Sequence, residues 1–156
     1  MHILPSFDEL VIEFLSQTKF AQHGPRWRTV VNGYYAKASI RVAVPDSRVL
    51  RGHVILAAHL LRMPPKYCLS VVFRAERVLA LDVNPARHHR NLINPAIVNG
   101  THWQRWPTME AVPDNREMPF SVWLHDFLIQ ANIHCKFRVP SPPRGVQLEF
   151  PDGKAG

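Results

Sequence analysis

YCLSVVFRAERVLALDV, residues 67–83, is the stretch on which the fold turns. It holds two apolar runs, YCLSVVFR (67–74) and RVLALDV (77–83), with only Ala75 and Glu76 between them. Both are rich in β-branched and long apolar side chains, the composition of strands. So short a connection predicts an antiparallel hairpin, although the turn lacks the Gly or Asn that a two-residue loop prefers. Pro64-Pro65 stops the chain before the first run and Asn84-Pro85 stops it after the second.

Toward the N-terminus, residues 53–62 (HVILAAHLLR) read as a buried strand, though Leu50, Val54, Ala57, Ala58 and Leu61 also match a helical period. Residues 34–44 (YYAKASIRVAV) alternate. Tyr34, Ala36, Ala38, Ile40, Val42 and Val44 fall on one side, and Lys37 and Arg41 share the other. Pro45-Asp46-Ser47 follows as a turn. A helix is expected over 7–19. Ser6 and Glu9 have capping-box spacing, and Phe7, Leu10, Val11, Phe14 and Leu15 form one apolar stripe.

Toward the C-terminus, residues 84–101 read as a long polar loop, and THWQRW (101–106) returns as a short strand. Pro119 suits the first turn of a helix, and Phe120, Trp123, Leu124, Phe127, Leu128 and Ala131 give it an apolar face over 120–132. CKFRV and VQLEF could pair around 140–145, with 151–156 a frayed tail. The expected fold is α+β: one domain over 1–150, an antiparallel sheet of four to six strands, and a helix near each end packed on it.

Composition limits the function. The apolar fraction of 46% supports a real core, and fourteen prolines imply much irregular chain. No apolar run approaches the length of a bilayer span, and the N-terminus lacks the pattern of a signal peptide. Cys68 and Cys135 form neither a disulfide framework nor a zinc pattern, so a cytoplasmic protein is expected, with no cofactor. Charge is concentrated. Residues 21–106 carry thirteen Arg or Lys against Asp46, Glu76 and Asp82, a local balance of +10 within a chain of +7. Such asymmetry points to a polyanion, most often nucleic acid.

Residues 81–106 carry the chemistry. Asp82 ends a strand, Arg87, His88, His89, Arg90 and Asn91 follow in the loop, and His102 opens the returning strand beside Trp103, Gln104 and Arg105. Three readings compete. In the first, Arg87, Arg90 and Arg105, with Lys37 and Arg41, neutralise phosphates while Trp103 or Trp106 stacks on an unpaired base. In the second, His89 and His102 exchange protons in metal-free RNA cleavage and Arg90 stabilises the phosphorane. The third is a metal site of His88 or His89, His102 and Asp82, but the ligand spacing is poor and no metal is expected. Against all three, the histidines also fit a solvated loop and Trp103 and Trp106 fit a core.

The run Leu81-Asp82-Val83, then His89-Arg90-Asn91, then Gly100 and His102, then Phe127, Leu128, Asn132 and Ile133, resembles an uncharacterised family of small bacterial proteins often carried on mobile elements. There, a strand ending LD(I/V) leads to an H-x-N-P-D-G loop and an H-x-H strand. In this chain Leu92-Ile93 follow Asn91, and Gln104 stands at the second histidine. The resemblance implies a mobile-element or prophage setting and brings no activity with it. The expected protein is a small nucleic-acid-directed member of a bacterial or phage conflict system, an RNase-type toxin if His89, His102 and Arg90 converge. The alternative is a non-enzymatic inhibitor or adaptor, of the anti-defence type, docked on a nucleic-acid-processing complex. Its partner would be RNA, single-stranded DNA or a nucleoprotein complex, and no membrane.

Overall fold

The hairpin forms where the two apolar runs place it. In the computed structural model, which describes residues 3–30, 33–62, 66–84, 88–90 and 97–143, its strands are β5 (Lys66–Phe73) and β6 (Glu76–Val83). The turn falls on Arg74 and Ala75, one residue earlier than expected. Both have positive φ, 49° and 66°, the pair that a type I′ two-residue turn requires whatever residues occupy it.

The chain order is α1 (Phe7–Ser16), β1 (Lys19–Ala21), β2 (Arg28–Val30), β3 (Tyr35–Ala43), β4 (Arg51–His59), β5, β6, β7 (His88–Arg90), β8 (Ile97–Asn99), β9 (His102–Arg105), β10 (Val112–Pro113), α2 (Phe120–Gln130) and β11 (Ile133–His134). The main sheet runs β10-β9-β6-β5-β4-β3-β1-β11, and β2 also pairs with β3. The α+β class is as expected, but the sheet has nine strands among the described residues rather than four to six. The extra strands are short. β1, β2, β10 and β11 hold two or three residues each and extend the edges of the longer ones. All pairings in the main sheet are antiparallel except β1 with β11.

Residues 53–59 are strand as expected, within β4, which pairs with a neighbour on each side, while 60–62 lie beyond its end. Other expectations are corrected. Part of the expected loop 84–101 is a two-stranded ribbon, β7 with β8. Cys135–Val139 forms no strand, because the chain instead pairs at Ile133–His134 along β1. VQLEF and the terminal tail lie outside the described residues.

Register sorts the side chains between the two faces of the sheet. Ala36, Ala38, Ile40 and Val42 of β3 stand opposite Ala58, Leu56, Val54 and Gly52 of β4. Leu69 and Val71 of β5 and Leu79 and Leu81 of β6 continue the same face. Both helices lie on it. Phe14 of α1 stacks on Phe73 at 4.6 Å, Phe120 of α2 meets Tyr67 at 5.1 Å, and Phe127 stacks on Trp103 at 6.2 Å. Phe14, Trp123 and Phe127 are buried in one apolar cluster.

The helices end earlier than the expected bounds of 19 and 132. α1 begins with the expected capping box of Ser6 and Glu9 but stops at Ser16, not Lys19. Lys19 is fully buried, and its ammonium folds back to donate to the carbonyls of Phe14, Leu15 (3.3 Å) and Gln17 (2.8 Å). Asn132, at φ 54°, ends α2 in the left-handed conformation that commonly follows a helix. Its Nδ2 donates to Leu15 O at 2.8 Å, so the two helices finish against one another.

Burial, and then the Arg105 guanidinium, pull the Lys19 pKa from 10.5 to about 8. Between those values the unfolded chain holds a proton that the folded one has released. Unfolding then takes up a proton, so this group adds stability as pH rises from about 8 to 10.5 and contributes no pH dependence below that window. Burial raises the Tyr67 pKa, which has the opposite effect above pH 10. Lys19→Met isolates the first effect. Chemical denaturation at several pH values should show wild-type stability gaining on the variant's across the window. A difference that stays flat would contradict the buried, charge-disfavouring site.

Candidate nucleic-acid interface

The second face of the sheet differs between its two ends. Over β6 and β9 it is closed: Ser70, Ala80, Asp82 and His102 are buried there. Gln104 donates to Met109 O at 2.9 Å, holding the loop after β9 against that end. Over β3 and β4 it is open. Tyr35, Lys37, Ser39 and Arg41 project from β3, and His59, Ala57, Ile55 and His53 stand opposite them on β4. Arg28 of β2 pairs with Lys37, and Arg51 pairs with Ala43 at the other end of β3. Arg28, Lys37, Arg41, Arg51 and His53 are all exposed.

Two hollows mark this open face. One, of about 480 Å³, is lined by Arg26, Arg28, Lys37 and His23 among others. The other, of about 590 Å³, is lined by Arg41, Arg51, Arg74 and His53 among others. No Asp or Glu among the described residues lines either one. Lys37 and Arg41 are four residues apart on β3, so the hollows lie roughly 13 Å apart along one strand. Cations so placed, with no counter-charge between them, make an extended positive field.

The floor between the hollows has a specific construction. β1 leaves the edge of β3 at Val42 and β2 joins it at Lys37, which would orphan the backbone between them. His23 fills the gap. Its Nε2 accepts the Arg41 N–H at 3.1 Å, and its Nδ1 donates to Gly24 O at 2.9 Å. Both bonds are satisfied together by the neutral tautomer with the proton on Nδ1.

The residues expected to form the site are spread over both faces. Lys37 and Arg41 share the open face, as the alternation of 34–44 predicts. Trp103 and Arg105 point to the helix side, opposite Leu81 and Leu79. Trp103 is half-buried, stacked on Phe127, and its Nε1 donates to Asp114 Oδ2 at 3.0 Å. Arg105 donates to Gln130 O at 3.2 Å, at the end of α2. Arg116 also bonds Asp114, the main reason the Asp114 pKa falls to about 2, and reaches Asp126 on α2 at 3.0 Å. The Arg116 charge is paired with carboxylates within the molecule, and the Arg105 guanidinium is engaged by a backbone carbonyl on the helix side.

His102 belongs to the closed end of the second face and is 1% exposed. Its Nδ1 lies 3.0 Å from Gly100 O, and its Nε2 lies 4.0 Å from Asp82 Oδ2, on the strand beside it. His89 and Arg90 are described in backbone only, on β7 opposite Val98 and Ile97, and Arg87 lies outside the described residues. Among the described residues no three His, Cys, Asp or Glu side chains are placed to hold a metal ion, and no helix is long and apolar enough to cross a membrane.

Reading the sequence alone did not reach Arg26, Arg28, Arg51, Arg74, His23 or Tyr35. The grouping of Arg28 and Arg51 depends on β2 and β4 lying on either side of β3, and pairing leaves no mark in a strand's own composition, whereas Tyr35 lies on β3 itself, two residues before Lys37 on the same face. Comparison of the chain with protein-family models, curated proteins and solved structures finds no match.

Proposed function

We propose that this protein binds nucleic acid on the open face of its sheet. One observation carries the reading: six Arg or Lys side chains line two hollows on one face, and no acidic side chain among the described residues lines either. The phosphate backbone is the polyanion that such a face suits, because each phosphate neutralised by Arg or Lys releases a condensed counterion. RNA cleavage by His89 and His102 is the less favoured reading. It requires His102 to touch a 2′-hydroxyl or a leaving oxygen, and that imidazole is 1% exposed.

The salt dependence of binding tests the proposal. With Arg28, Lys37, Arg41 and Arg51 each on a phosphate, log affinity should fall against log salt with a slope of about −3 for a single strand. Fluorescence anisotropy across a salt series measures it. A slope near zero, or no binding at low salt, would remove phosphate contact as the driving force.

A further inference from the structure

Resting on the binding reading of the same face, we infer that the face takes a single strand, with an unpaired base stacked on Tyr35. Tyr35 begins β3 and stands on the same side as Lys37, two residues on. It is 36% exposed although it sits in a nine-stranded sheet. His59, directly opposite on β4, holds the ring edge-on at 4.6 Å and 62°. An aromatic ring held by a neighbour and still more than a third exposed, at the end of a basic strand, is an arrangement that can stack on a base.

The neighbours fit a strand laid along β3. Arg28 and Lys37 face one another across β2 and β3, so their charges flank the position next to the ring. Ser39 follows as an exposed hydroxyl, and Arg41 closes the row beside His53. From Tyr35 to Arg41 the track is about 20 Å long, the length of roughly six stacked nucleotides at about 3.4 Å each.

Base faces are what decide between one strand and two. A duplex stacks its bases on one another and shows only their edges in the grooves. A ring lying on a sheet, flanked on its own face by Lys37 and His59, cannot reach between paired bases. Its stacking surface is therefore of use only to an unpaired base, and it accepts any base because each has a π-face.

The test is anisotropy at low salt with the full chain. The probes are a mixed-sequence DNA strand of about twelve nucleotides, the same sequence as RNA, and the corresponding DNA duplex. Both single strands should bind at least about tenfold tighter than the duplex. Tyr35→Ala should weaken single-strand binding about tenfold or more and leave the duplex unchanged. Tyr35→Phe should keep wild-type affinity, since the ring and not the hydroxyl stacks. Tyr35→Leu keeps apolar bulk for the strand and should lose affinity as the alanine does, which separates stacking from a folding defect. Equal affinity for strand and duplex, with none of the three variants changing either, would overturn the stacking inference while the polyanion reading stood. A folded protein that binds no oligonucleotide would overturn both.

Discussion

Gly52→Ala should destabilise the protein by about 3 kcal/mol, the upper end of the usual cost of overpacking. Gly52 stands opposite Val42 on the core face, under α1. A Cβ at this position would lie 2.5 Å from the Val72 carbonyl oxygen and 2.9 Å from Cζ of Phe14. The two contacts differ in what can give. Phe14 is a side chain, but it is buried and stacked on Phe73, with little freedom to turn. The Val72 carbonyl is backbone, held where the register of β5 against β6 shifts between Val71 and Val72. Relief therefore requires β4 or β5 to move, and β4 carries Arg51 and His53 of the open face on either side of Gly52. Thermal unfolding should show a midpoint lowered by roughly 10 °C. Gly52→Ala combined with Phe14→Leu should recover only part of the loss, because the carbonyl contact remains. A midpoint within about 2 °C of wild type would show that the strands slide apart freely and that this packing is not restrictive.

The second large effect concerns binding. Lys37→Glu with Arg41→Glu should weaken nucleic-acid binding about 100-fold or more, since each lost charge-assisted contact is worth about 1.5–3 kcal/mol. The new carboxylates would also repel the phosphates. Both side chains are exposed on a strand whose other face makes the core, so folding stability should change by no more than about 0.5 kcal/mol per site. The salt slope should flatten as well, by about 0.7 for each contact removed. Arg105→Glu, on the helix side, serves as the control. It should leave affinity nearly unchanged, because that guanidinium is directed to Gln130 on the opposite face. Loss of binding in the control with none in the double variant would place the interface on the wrong side of the sheet.

How much of this was legible depended on the range of the interaction. The capping box of Ser6 and Glu9 and the stripe of Phe7 to Leu15 are local, and α1 starts where they say. Its end was not local. The apolar stripe closes at Leu15, and Lys19, expected within the helix, turns back on the last carbonyls and begins β1 instead. Strands β3 to β6 are long enough to carry a period or an apolar run, and all four were expected. β1, β2, β10 and β11 are too short to carry either. They exist because β3 and β9 have free edges and because the segment after α2 comes back beside β1.

The site divides in the same way. Lys37 and Arg41 could be placed together because they lie on one alternating strand. Arg28 and Arg51 join them only through cross-strand register, which one sequence does not display. Trp103 and Arg105 drew attention through their polar neighbours. Yet alternation along β9 already separates them from His102 and Gln104, and the apolar face of β6 turns them toward α2. His102, Trp103 and Arg105 could not serve one site, because neighbouring residues of a strand point to opposite faces.

Backbone amide shifts, followed by NMR as a short single-stranded oligonucleotide is added to the full chain, test the binding face most directly. Changes should be concentrated in Arg28–Val30, Tyr35–Arg41 and Arg51–His59, with α1 and α2 unmoved. Changes concentrated instead on α2 and around Trp103, Arg105 and Arg116, with β3 and β4 silent, would contradict it.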